Sequence, residues 1–129
     1  MIPDFNDDGY LPPGIHLATL EEVAARFGQE SEVRQVQMES LRWLLDLARR
    51  AGVQRLVVNG SFVTDEVEPN DVDCVLLIGQ DFPRDASAQA ELAGGLPFIN
   101  MELVDQDGFV TFTKAIFASD RDLVPHGHD

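Results

Sequence analysis

The sequence predicts an α/β (α+β) fold, a mixed β-sheet with helices packed on it, in a single domain spanning residues 1–129. Three observations carry the prediction. Apolar residues at helical spacing alternate with apolar runs of strand length, in the order α-α-β-β-α-β-α with only a turn-rich stretch between the first two strands. The middle run, around Val75, is apolar almost throughout, as a strand buried on both faces must be. At 129 residues and 44% hydrophobic composition, the chain is long enough to bury about two-thirds of its unfolded surface.

Residues 1–16 hold three prolines and two glycines and read as an irregular arm. Within it, Asp4, Asn6, Asp8 and Gly9 match the first half of a calcium-loop pattern. The twelfth position is Ile15 rather than a glutamate, so an Asx-rich turn is expected instead. Thr19-Leu20-Glu21-Glu22 has the form of a capping box, and Leu20, Val23, Ala24 and Phe27 follow at helical spacing up to Gly28. A longer helix is expected over 31–51, with Val33, Val36, Leu41, Leu44, Ala48 and Ala51 on its apolar face and Gly52 as its stop. Trp43 is assigned to the core or a packing face. Arg42, Arg49 and Arg50 go to a solvated face that complements the helix dipole. Strands are expected over 53–59, 73–79 and 97–104. Residues 86–93 form a weak helix broken by Gly94-Gly95, and 108–118 a last helix carrying Phe109, Phe112, Ile116 and Phe117.

Composition narrows the function. Twenty-three acids against nine bases give a formal charge of −14. Such a field repels a phosphate backbone, so no direct nucleic-acid binding is expected, while cations or a basic protein partner are favoured. No apolar stretch approaches the roughly 18 residues of a membrane span. The N-terminus lacks the basic and apolar regions of a secretion signal. Cys74 is the sole cysteine, so no intrachain disulfide is possible and a cytoplasmic location is expected; within an apolar run it reads as an inert small hydrophobe.

The chemistry concentrates between residues 57 and 77. An apolar strand runs into Gly60-Ser61, nine residues follow, and Asp71-Val72-Asp73 opens the next apolar run. Positions 71 and 73 share a face of a strand, so two carboxylates stand together where like charges repel unless neutralised. A hard divalent cation does this, and two carboxylates plus substrate phosphates make a usual magnesium site. Glycine permits close backbone approach, and the turn after it offers N–H groups to phosphate. The bland alternative is that Asn70, Asp71 and Asp73 merely form a turn and strand entry through their own backbone bonds.

This pattern resembles the signature of the DNA polymerase β-like nucleotidyltransferase superfamily over residues 53–104. A closer resemblance, through LPPGIH (11–16), RFG (26–28) and NGSFVT (59–64), is to short bacterial nucleotidyltransferase-like proteins without an assigned function. The resemblance implies that Gly60 and Ser61 hold the phosphates of a nucleoside triphosphate and that Asp71 and Asp73 ligate Mg2+ (or Mn2+). It further implies a third carboxylate from a later strand, which helps to ligate the metal and activates the attacking hydroxyl. Glu102 is the best match, with Asp105 the alternative on the opposite face and a solvated edge-strand residue the bland reading of Glu102. The chain departs from the family pattern in having glutamate for aspartate, a short spacer, and Thr64 where arginine is frequent. On this basis the expected function is a minimal nucleotidyltransferase. Too few residues follow the third strand for an acceptor domain, so the acceptor is expected on a protein partner, such as a basic toxin of a toxin–antitoxin pair. The alternative is a non-catalytic binding or interaction module of the same fold. Other candidates carry less: His126 and His128 lack a third ligand, His16 is expected to be structural, and Lys114 is a candidate to reach a triphosphate.

Overall fold

The computed structural model describes residues 1–118. Strands β1 (Arg55–Asn59), β2 (Val72–Leu77) and β3 (Ile99–Val104) form one sheet in the order β1-β2-β3. β1 and β2 are antiparallel, and β2 and β3 are parallel. The sheet is therefore mixed, with helices packed on it. Parallel neighbours need a crossover, and helix α3 (Ala86–Ala93) supplies it between β2 and β3. Helices α1 (Leu20–Phe27) and α2 (Glu32–Ala51) precede the sheet and α4 (Gln106–Ala118) follows it. No helix among the described residues is long and apolar enough to cross a membrane.

The local signals act as expected at most boundaries. Thr19 and Glu22 close a full capping box on α1, with Thr19 Oγ1 accepting from Glu22 N at 3.1 Å and Glu22 Oε1 from Thr19 N at 2.9 Å. Ser31 caps α2, and Gly52 ends it at φ 92°. In the arm, Asn6 Oδ1 accepts from the N–H groups of Asp8 and Tyr10, an Asx turn, and His16 Nε2 lies 2.8 Å from Pro12 O.

β2 runs over 72–77 and not 73–79, and three further boundaries differ, each for a visible reason. Val53 donates its N–H to Ala48 O to close the end of α2, so β1 begins at 55 and not 53. Phe98 sits at φ 63°, a left-handed conformation that cannot continue a strand, so β3 begins at 99 and not 97. Asp105 Oδ1 accepts from Gly108 N at 2.8 Å, which caps α4 and starts it two residues early.

β2 is buried on both faces except at Asp73, which is partly buried. On one face Val72, Cys74 and Leu76 pack with Leu41, Leu44 and Leu47 of α2 and with Ala88 and Leu92 of α3. On the other, Val57, Val75 and Leu77 meet Phe109, with Val104 and Phe112 against them. Leu44, Leu47 and Leu76 are completely buried, and each such side chain contributes about 1.5–3 kcal/mol.

The first half of α2 corrects the hydropathy reading. Val36 is 44% exposed, while Arg34 and Gln37 are buried; further along, Trp43, expected in the core or a packing face, is 48% exposed. The expected apolar face holds from Leu41 onward. Before it, the helix faces the loop between β1 and β2 and takes up its backbone carbonyls, while Met38 of the helix and Phe62 and Val63 of the loop join the core. Arg34 donates to Phe27 O, Phe62 O, Thr64 O and Glu66 O, at 2.6 to 3.0 Å. Gln37 Nε2 donates to Pro69 O, and Ser31 Oγ to Val67 O. Burial lowers the Arg34 pKa, opposed by the nearby Glu30, Glu66 and Asp65 carboxylates.

Candidate functional site

The site forms where β1 gives way to its turn. Asn59, the last residue of β1, pairs with Asp73, which pairs in turn with Asn100 of β3. Side chains in register project to the same face, so these three form a row across the sheet. The next row is Val57, Val75 and Glu102. Asp73 and Glu102 thus lie on one face, one diagonal step apart. That face also receives α4, but Phe109 and Phe112 cover the apolar rows and leave the row of Asp73 to line a cavity.

Gly60 opens a short 3-10 turn (Gly60–Val63) at φ 79°, in the left-handed region that favours glycine. A Cβ there would collide with Asp73 Oδ2, so the missing side chain is the space the carboxylate occupies. The other oxygen, Asp73 Oδ1, accepts from Asn100 Nδ2 at 3.0 Å. The turn is fixed from below. Ser61 O accepts from Thr64 N at 3.2 Å and Thr64 Oγ1 at 2.7 Å, and the Arg34 guanidinium holds Phe62 O and Thr64 O. Thr64 is buried in this role.

A cavity of about 380 Å³ is lined by Asn59, Gly60, Ser61, Asp73, Asn100 and Glu102 among others, with Phe112 on its wall. Four of the five predicted site residues therefore share one space. Asp71 is the exception: it is exposed, directly ahead of β2, and does not line the cavity. Among the described residues no group of three or more His, Cys, Asp or Glu side chains is gathered to hold a metal ion. Of the two aspartates only Asp73 reaches the cavity, and Glu102 is the other carboxylate that lines it.

The remaining candidates are placed as follows. Asp105 caps α4. Lys114 is exposed and does not line the cavity. Cys74 is buried, and burial, with Asp73 beside it, pushes its thiol up to about 12. His126 and His128, and the side chains of Ile116 and Phe117, lie outside the described residues. Sequence reasoning missed Asn59, Asn100 and Arg34. Strand alternation places Asn100 on the face of Glu102, but only the register brings it beside Asp73. A second cavity of about 330 Å³, between the arm, α1, α2 and β1, has a mostly apolar lining into which Thr19, Arg55 and His16, the ring held at Pro12 O, also enter.

A small mixed sheet thus brings a glycine–serine turn and the carboxylates of Asp73 and Glu102 to one cavity. The chain belongs to a family of unknown function, DUF6932, whose family model matches residues 3–122. No curated protein and no solved structure matches it.

Proposed function

We propose that this chain is a cytoplasmic minimal nucleotidyltransferase of the DNA polymerase β-like kind, binding a nucleoside triphosphate with Mg2+ (or Mn2+). The observation that supports it is the meeting of Gly60, Ser61, Asp73 and Glu102 around one cavity. In this reading the turn N–H groups of Gly60-Ser61 bind the phosphates, and Asp73 with Asp71 holds the cation. When bound, the cation neutralises the phosphates and the leaving pyrophosphate. Glu102 takes the proton of the acceptor hydroxyl as its oxygen bonds to the α-phosphorus and the bond to pyrophosphate breaks. The acceptor belongs to a protein partner, a basic toxin being the kind that suits a charge of −14.

Calorimetry with Mg2+ and each of the four nucleoside triphosphates tests binding. Wild type is expected to bind one or more, and the double variant Asp71→Ala, Asp73→Ala to bind none while melting normally. Equal affinity in both proteins overturns the reading. One observation favours the alternative, a non-catalytic binding module: Asn100, not an acid, stands in register beside Asp73. Transfer of label from an α-labelled triphosphate to a basic partner, abolished by Glu102→Gln with nucleotide binding retained, decides for the enzyme. Binding with no transfer decides for the module.

A further inference from the structure

The cavity of about 330 Å³ between the arm, α1, α2 and β1 is lined by none of Gly60, Ser61, Asp73 and Glu102. The chain has 23 acids against 9 bases, yet among the described residues no acid lines this cavity and Arg55 is its one charged side chain. Its inner wall is made by core side chains, Leu11, Phe27, Leu41 and Val63, each 5% exposed or less. Arg55 is exposed and so stands at the mouth. The other polar side chains of the lining are already engaged. Thr19 Oγ1 accepts from Glu22 N at 3.1 Å, and His16 Nε2 donates to Pro12 O at 2.8 Å. Arg55 belongs to neither ion pair found among the described residues, and its backbone is fixed at the start of β1 opposite Leu77. An uncommitted guanidinium thus opens on an apolar space.

We infer that this cavity binds a small apolar carboxylate, with its chain among Phe27, Leu41 and Val63 and its carboxylate on Arg55. Volume sets the size. The cavity is at the lower end of the roughly 300–1,000 Å³ of ligand pockets. It is also about twice the roughly 150 Å³ of an apolar cavity that takes up benzene, which leaves room for a chain of about ten carbons. The lining sets the body of the ligand. A methylene taken out of water strengthens binding about fourfold, whereas a polyhydroxylated ligand would lose hydrogen bonds to water that this wall cannot return. Charge sets the head group. A carboxylate can take two parallel N–H bonds from a guanidinium, and an amine would meet it with like charge. The surrounding charge of −14 opposes anions of higher charge and favours one that a single arginine compensates.

Calorimetry on the full chain with hexanoate, octanoate and decanoate, and with decanol as the uncharged control, tests the inference. Wild type is expected to bind one decanoate, with affinity rising about tenfold for each two carbons added along the series. Arg55→Ala is expected to weaken decanoate about fivefold, the scale of an exposed ion pair, and to leave decanol unchanged. Arg55→Lys should recover part of the loss. Val23→Phe, which fills the cavity from α1, should weaken both ligands. Arg55→Ala should melt with wild type, because its side chain is exposed, so this arm decides even if Val23→Phe fails to fold. A wild type that takes up no decanoate overturns the inference. So does an Arg55→Ala protein that binds decanoate as wild type does, or uptake of many molecules that neither variant changes.

Discussion

Cys74 shows how a single residue records the environment of the site without taking part in its chemistry. It lies in the central strand, 2% exposed, one residue from the carboxylate of Asp73. Burial first, and then the negative charge of Asp73, raise its thiol from 9.0 to about 12. The folded chain therefore keeps a proton that the unfolded chain releases from about pH 9 upward, and stability falls across the window from 9 to about 12. Below pH 9 the thiol is neutral in both states and contributes no slope. Thermal melting of wild type and Cys74→Ala, compared from pH 8 to 10.5, should show the wild type losing stability faster above pH 9. Parallel curves would mean that the thiol is not in an apolar, negatively charged setting. At pH 8 a thiol reagent should label Cys74 only after unfolding.

Among the elements, α2 and the loop from Gly60 to Asp71 are the pair that builds the site. The loop is long for an antiparallel connection, and its carbonyls would be orphaned if they were buried alone. Ser31, Arg34 and Gln37 take them up. This division also marks what was legible in the sequence. The caps at Thr19, Ser31 and Gly52 were, because capping is local chemistry between residues two to five apart. β2 was, because an unbroken apolar run has few places to go but the middle of a sheet. Arg34 was not, because its partners are backbone atoms, most of them about 30 residues downstream, which leave no mark in a hydropathy pattern. Asn100 was not, because its role depends on strand register. Substitution makes the contrast measurable. Arg34→Ala strips donors from several carbonyls at about 1–3 kcal/mol for each one left buried, so denaturant unfolding should show a loss of about 3 kcal/mol or more. Val36→Ala, which hydropathy alone would call a core truncation, should cost no more than about 0.5 kcal/mol. The reverse order would mean that the first half of α2 faces the other way.

At the scale of the whole molecule, charge is the feature that nothing inside the fold balances. The chain carries −14. The ion pairs seen among the described residues, Met1 with Glu22 and Asp46 with Arg50, are exposed and worth little. Arg34, the buried cation, spends its donors on carbonyls and not on carboxylates. Self-repulsion should then outweigh pairing, and screening it should stabilise the fold. Raising NaCl from about 0.01 M, where charges interact over roughly 30 Å, to about 0.15 M, where they do so over roughly 8 Å, is expected to raise the melting temperature by a few degrees. A fall would show that attraction dominates. The same scan separates general screening from a specific site. At matched ionic strength MgCl2 should stabilise wild type beyond NaCl, because a bound ion adds its own free energy to that of the native state. In the double variant Asp71→Ala, Asp73→Ala two acids are gone, so its NaCl response should be shallower, and the extra effect of MgCl2 should vanish. If MgCl2 exceeds NaCl equally in both proteins, the ion is reading the acidic surface as a whole and Asp71 and Asp73 form no site for it without nucleotide.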